Sequence, residues 1–240
     1  MRLISNTCAW LAVLGLSCFL VGSTGAADKP ADAAVAATNE KPEEQLGTPL
    51  FDGKSLKNWK ATDFGREGKI GVKDGALIIG KGEPMTGITW EGEELPKVDY
   101  ELRLEAKRVE GGDFFCGLTF PVGKESCSLI LGGWGGTLTG LSSINYQDAS
   151  ENETTNFYEF KSDKWYKITV RVTSDKIVAT LDGDTLAEVE YKDKKIGIRF
   201  EMEPCRPLGV ATYRTAGALR NFRLVKLDKD GEPLKDGTGK

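Results

Sequence analysis

The chain has no histidine in its 240 residues. That excludes imidazole activation of a nucleophile and removes the commonest metal ligand, leaving Asp, Glu, Lys and Tyr for acid–base work. No Lys/Arg-rich stretch interleaves with aromatics, and 36 acidic side chains outnumber 32 basic ones, for a net charge of −4. Nucleic acid and anionic membranes are therefore poor partners. No repeat period is visible, which argues against a propeller or solenoid. Helical periodicity is almost absent beyond residue 47.

Cysteine is sparse, with five in all. Cys8 and Cys18 lie in a segment with the three-part pattern of a secretory leader: basic Met1-Arg2, an apolar run from Leu3 to Val21, then small residues through Ala27. The expected cleavage follows Ala27, so residues 1–27 form a signal peptide and the mature chain is secreted, periplasmic or in the cell envelope, with no integral membrane span after processing. Removing the leader takes away Arg2 and no acid, making the charge one unit more negative. Cys116, Cys127 and Cys205 remain. Cys116 and Cys127 could lie on paired strands, and the odd count leaves at least one free thiol, so the disulfide state stays open. Residues 28–46 are rich in Ala, Pro, Lys and Glu and read as a flexible linker. Residues 228–240 form a polar tail, which leaves 47–227 as one domain.

That domain is built from short alternating runs. Tyr100 to Ala106 alternates apolar and charged residues, and in Trp165 to Val172 the side chains of Tyr166, Ile168, Val170 and Val172 share a face. Asp74-Gly75 and Asp182-Gly183 are hairpin turns between such runs. Further strands are expected at 114–120, 127–131, 138–144, 157–160, 195–200, 209–215 and 219–227. About a dozen strands with Gly- and Asp-rich turns predict an all-β fold of two packed antiparallel sheets.

Three stretches resemble the 3-keto-disaccharide hydrolase domain family, long catalogued as a domain of unknown function: Leu50-Phe-Asp-Gly-Lys-Ser-Leu-Lys-Asn-Trp59, Val72-Lys-Asp-Gly-Ala-Leu77 and Leu219 to Leu227. Lys164 to Val172 with Asp182-Gly183 is similar to the tryptophan strand and hairpin of laminin-G-like and concanavalin-like sandwiches. The resemblance spans about 47–227. It implies a jelly-roll sandwich of the concanavalin A-like lectin/glucanase type, a carbohydrate ligand, and a hydrolase acting on 3-keto-glycosides. Catalytic members of the family are expected to carry a Glu-x-Gln strand and a late histidine. Here the central strand reads Cys127-Ser-Leu-Ile-Leu131 and the late strand Gly209 to Thr215, with Tyr213 in the stretch that replaces the histidine.

The candidate chemistry follows from the reaction. A 3-ketone acidifies the C2 hydrogen, so a base can form an enolate that expels the C1 substituent; this needs a base, an acid, and a cation or donor for the enolate oxygen. Read as a strand, Arg199-Phe-Glu-Met-Glu203 puts Arg199, Glu201 and Glu203 on one face; its alternative is a solvated face. Trp134 sits among four glycines in Gly132 to Gly136, which leave its ring uncovered and allow a ligand close to the backbone; the alternative is a buried corner tryptophan. The expected site combines Arg199, Glu201 and Tyr213 as catalytic groups with Trp134 and Tyr146 as sugar contacts, facing one concavity. The acidic loop Asp148 to Thr155 carries oxygen ligands of the kind calcium takes, but its spacing fits no defined calcium motif and a solvated loop competes with that reading. The loop also holds the glycosylation sequon Asn152-Glu-Thr154. Three classes remain open: an enzyme cleaving 3-keto-glycosides, a non-catalytic lectin-like module, and an envelope interaction module.

Overall fold

Strict alternation puts one face of a strand into a core, and the long strands of this protein do so. A computed structural model describes residues 46–234; the leader with Cys8 and Cys18, nearly all of the linker and the end of the tail lie outside the described residues. Fifteen strands are present among them: β1 Thr48–Pro49, β2 Trp59–Ala61, β3 Ile70–Lys73, β4 Ala76–Ile79, β5 Met85–Trp90, β6 Tyr100–Glu110, β7 Cys116–Val122, β8 Glu125–Gly133, β9 Leu138–Ser142, β10 Asn156–Phe157, β11 Tyr166–Val172, β12 Lys176–Leu181, β13 Asp184–Glu190, β14 Gly209–Tyr213 and β15 Ala216–Lys226.

They form two antiparallel sheets. One has the order β13-β12-β11-β6-β15-β4-β3, with β1 added beside β15; the other runs β10-β9-β8-β7-β14-β5-β2. In β11 the alternation is complete: Tyr166, Ile168, Val170 and Val172 are buried and lie opposite Ala106, Leu104, Leu102 and Tyr100 of β6. Both Asp-Gly pairs turn as expected. Asp74 and Gly75 have φ of 51° and 76°, and Asp182 and Gly183 have 52° and 98°, the left-handed pair that a tight hairpin requires.

The opening motif is structural. Trp59 packs edge-on against Trp90 at 5.1 Å and stacks on Phe222 at 5.5 Å, while its indole N–H donates to the Leu50 carbonyl at 2.8 Å. Asp52 accepts the backbone N–H groups of Lys54 and Ser55 at 2.8 and 2.7 Å, which closes the turn and lowers its pKa to about 2.

The two sheets differ in what covers them. The eight-stranded sheet turns a charged face outward. There Glu101, buried by its neighbours, receives Arg103 and Arg171, each Nε at 2.7 Å. The seven-stranded sheet is buried on both faces along β5, β7, β8 and β9. Its inner face joins the main core through Leu118, Phe120, Leu129 and Leu131. Its outer face is roofed by a second apolar cluster containing Met85, Ala211, Met202 and Cys205, with Phe64, Phe114 and Tyr213 packed on it.

The roof corrects one expectation. Residues 195–200 are not a strand beyond an isolated bridge between Ile144 and Ile196, and Phe200–Cys205 is a 3-10 helix with extended Arg199 (φ −68°, ψ 148°) at its N-cap. At three residues per turn, Met202 and Cys205 fall on one side and are buried, so the apolar spacing of three outweighs the alternation in Arg199 to Glu203. Glu203 consequently leaves the face of Glu201 and pairs with Arg206 at 2.9 Å.

Among the described residues the cysteines, Cys116, Cys127 and Cys205, are buried free thiols. Cys116 and Cys127 do lie on the neighbouring strands β7 and β8, but Cys116 is opposite Leu131 and Cys127 opposite Phe120, well out of register for a bridge. Burial pushes each of the three thiols up to about 12. No helix among the described residues is long and apolar enough to cross a membrane.

Candidate functional site

The roof on the seven-stranded sheet is incomplete, and the gap is a cavity of about 280 Å³. Outward-pointing Met85, Ile130 and Tyr213 come from β5, β8 and β14; Met202 of the 3-10 helix adds to this apolar lining. Phe114 sits at 5.8 Å from the Tyr213 ring, and its carbonyl accepts the Tyr213 N–H at 3.0 Å. Arg199 and Glu201 line the same cavity, as do Trp134 and Asp113.

The Arg199–Glu201 wall is an ion-pair network. Arg199 Nε and Nη2 donate to the two carboxylate oxygens of Glu201 at 3.2 and 2.9 Å, and Nη1 donates to Asp148 at 2.5 Å. The bonds from Arg199 hold the Glu201 carboxyl below its usual range, and donating to Glu201 raises Arg199. Asp148 is partly desolvated, which works against ionisation, but hydrogen bonds from Ser150 and the charge of Arg199 outweigh this and lower its pKa. Asp148 reaches Arg199 because residues 143–145 run against 195–197, with Ser143 N–H to Gly197 at 2.7 Å and Asn145 N–H to Lys195 at 2.7 Å.

Trp134 is 46% exposed, so its ring is not a buried corner. The glycines around it serve the loop's own geometry. Gly132, Gly135 and Gly136 have φ of +76°, +91° and +113°, and a Cβ on Gly132 would lie 2.4 Å from Arg108 Nη2. Arg108, buried at 6% exposure, donates to the carbonyls of Gly136 at 2.8 Å and Phe160 at 3.2 Å, with Gly132 at 3.5 Å. Its guanidinium stacks over Phe115 at 5.3 Å, and desolvation lowers its pKa. Asp113 holds the same loop from the other side by accepting the Gly135 N–H at 3.2 Å.

Backbone strain concentrates here. Ten non-glycine residues with positive φ are found among the described residues, and seven are Asn or Asp, which tolerate that region. The other three are Trp134 (φ 48°), Tyr146 (67°) and Arg214 (45°). Trp134 lines the cavity, Arg214 stacks on the cavity-lining Tyr213 ring at 5.5 Å, and Tyr146 lies two residues before Asp148. Strained side-chain-bearing residues gather at functional sites because only a site that needs their side chains retains them.

Trp134, Arg199, Glu201 and Tyr213 thus share one cavity. Tyr146 does not line it; the ring is 87% exposed at the tip of the Ile144–Gln147 turn. Asp113, Phe114 and the apolar floor were missed in the sequence. The signal for Asp113 was an acid directly after Gly111-Gly112 at the end of a long strand.

The loop 148–155 is held together by its own groups. Asn152 is buried and its side-chain N–H groups donate to the carbonyls of Leu141, Gln147 and Asp148 at 2.7, 3.1 and 2.7 Å, which leaves the sequon without a reachable amide. No group of three or more His, Cys, Asp or Glu side chains that could hold a metal ion is found among the described residues. A larger concavity of about 600 Å³ lies over the charged face of the other sheet, but its lining includes no aromatic residue.

The 3-keto-alpha-glucoside-1,2-lyase-like domain model matches residues 47–225. The chain belongs to this family. No curated protein matches it. Among solved structures, a protein of unknown function with a galectin-like fold from Bacillus subtilis is similar at TM-score 0.50 and 10% identity, over 70% of this chain and 89% of that one. The carbohydrate binding module CBM66 from Bacillus subtilis aligns at TM-score 0.45 and 10% identity, over 70% and 94%. The family match and the galectin-like neighbour place the chain among carbohydrate-active sandwich domains with a galectin-like, jelly-roll architecture.

Proposed function

We propose that the cavity holds one sugar ring of a 3-keto-glycoside and catalyses elimination of its C1 substituent. The observation that carries this reading is the convergence of Trp134, Tyr213, Arg199, Glu201 and Asp113 on a single cavity in a domain of the lyase-like family. A volume of about 280 Å³ lies just under the roughly 300–1,000 Å³ range of small-molecule sites, which suits one ring rather than a chain. Trp134 offers an apolar face for the ring. Arg199 supplies positive charge where the enolate oxygen would develop, and the Tyr213 hydroxyl can donate a proton to the departing oxygen. One of the two carboxylates accepts the C2 proton.

The elimination balances without a further reactant. The C2–H electron pair forms the enolate, the C3 carbonyl re-forms as C1=C2 appears, and the C1–O bond pair leaves with the alcohol. Net hydrolysis follows when water adds across C1=C2. Incubation with a 3-keto-glucoside and with the parent glucoside tests this: aglycone release from the first alone is expected, and release from neither sinks the enzymatic reading.

A lectin-like reading is favoured by one observation. Arg199 gives three of its five N–H donors to Glu201 and Asp148, so the wall is already charge-balanced and suited to hold hydroxyl groups as it stands. Binding of both sugars without turnover is its signature. We also propose that the chain is exported with residues 1–27 removed; N-terminal sequencing of protein recovered from its host checks this, and an intact Met1 overturns it.

A further inference from the structure

The two carboxylates of the cavity are not equivalent. Glu201 is held at both oxygens by one guanidinium, which makes it a fixed part of the wall. Asp113 lines the same cavity, and its bonds come from two backbone amides, Phe114 N–H at 2.8 Å and Gly135 N–H at 3.2 Å. No ion pair to it is found among the described residues. The charge of Arg108 acts on it through space, but the Arg108 guanidinium donates to the carbonyl oxygens of Phe160 and Gly136 instead.

Its backbone is fixed by three turns meeting at one point. The Asp113 N–H donates to Thr215 Oγ1 at 2.9 Å, and Gly111, at φ +97°, approaches so closely that a Cβ would stand 2.6 Å from the Arg214 carbonyl. The carboxylate therefore comes from the β6–β7 turn, is anchored to the β14–β15 turn, and reaches the β8–β9 loop that carries Trp134. A group held this way is preorganised against a ring stacked on that tryptophan, while keeping lone pairs for a proton.

We propose that Asp113 is the base that removes the C2 proton, and that Glu201 serves to hold Arg199 in place beside the enolate oxygen. This rests on the elimination reading above. Asp113 takes the proton, the C2–H pair becomes the enolate, and collapse of the enolate breaks the C1–O bond, with the leaving oxygen protonated from Tyr213. Asp113 returns its proton to solvent and Tyr213 regains one.

The test uses a 3-keto-glucoside in deuterated water, following both aglycone release and C2–H exchange, with binding read separately by calorimetry. General-base removal is worth roughly 10²–10⁴ in rate. Asp113→Asn is expected to lose at least 100-fold in turnover and in C2 exchange with affinity held within about threefold, and formate is expected to restore part of the rate in Asp113→Ala. Glu201→Gln is expected to raise KM more than it lowers kcat. Should Asp113→Asn fail to fold, Asp113→Glu, which keeps the acceptor pair but displaces it, carries the same expectation. Exchange and turnover within tenfold of wild type in Asp113→Asn would overturn the assignment while leaving the elimination reading intact. Wild-type protein that binds but neither exchanges nor cleaves overturns both.

Discussion

The guanidinium of Arg108 donates to the carbonyl of Gly136 at 2.8 Å and thereby fixes a loop whose exposed residue, Trp134, forms one side of the cavity. Arg108 is a buried cation whose bonds go to backbone carbonyls, and its Nε has no partner among the described residues. Burying a cation without a carboxylate is costly, and here the return is a shaped loop.

Arg108→Met is therefore expected to destabilise the domain, because it strands the buried Gly136 and Phe160 carbonyls. An unsatisfied buried acceptor costs about 1–3 kcal/mol, and each kcal/mol moves the melting temperature of a domain this size by about 2–4 °C. Sugar affinity is expected to fall as well, with greater acrylamide quenching of Trp134 fluorescence relative to a Trp134→Phe control. An unchanged melting temperature would remove the loop-anchoring role.

Trp134 itself carries the opposite expectation. At φ 48° it occupies a region that costs a side-chain-bearing residue roughly 1–2 kcal/mol and glycine almost nothing. With 46% of the residue exposed, truncation gives up the buried half of the ring, and that loss offsets the relief of backbone strain. Trp134→Gly is expected to melt within a few degrees of wild type, while losing ring binding. Calorimetric titration with sugar beside thermal melting separates the two. A clear drop in stability would show the ring to be a packing element instead.

Much of this fold was legible because half-buried strands announce themselves. β6 and β11 alternate cleanly since one face meets the core and the other meets water. β5, Met85–Trp90, gave no such signal: it is buried on both faces, and a Cβ on Gly87 would stand 2.9 Å from the Val210 carbonyl. The same roof that erased its alternation creates the cavity. The segment Arg199 to Glu203 shows the converse, with alternation present but overridden by burial of Met202 and Cys205 three apart. Arg199 and Glu201 still share the cavity, because extended Arg199 folds its side chain back on Glu201. Asp113 was illegible for a different reason: its role depends on three turns that are distant in sequence and meet only after both sheets form.

The thiols offer a test of packing alone. Burial pushes Cys116, Cys127 and Cys205 up to about 12, so almost no thiolate exists at pH 8. Alkylation under native conditions is expected to leave all three unmodified by peptide mass spectrometry, with full labelling in denaturant. Rapid native labelling of Cys205 would show that the 3-10 roof opens.

The last prediction concerns acid. Both Glu201 and Asp148 titrate below their ordinary values in the folded protein. A carboxyl whose folded pKa is depressed adds stability that is fully present above its unfolded value, about 4.3 for Glu and 3.9 for Asp. That contribution is lost as pH falls from there through the lower folded values. The wall is thus expected to stay intact at pH 5 and to come apart below about pH 4, taking sugar affinity with it. In Arg199→Met the cation that sustains both carboxylates is gone, so both titrate at higher pH. The wild-type advantage in melting temperature over Arg199→Met should then be constant from pH 8 to 5 and shrink below pH 4. Exposure of the pair limits its size to about 1 kcal/mol or less. An advantage that instead grew on acidification would mean that Arg199 is not what holds these carboxyls ionised.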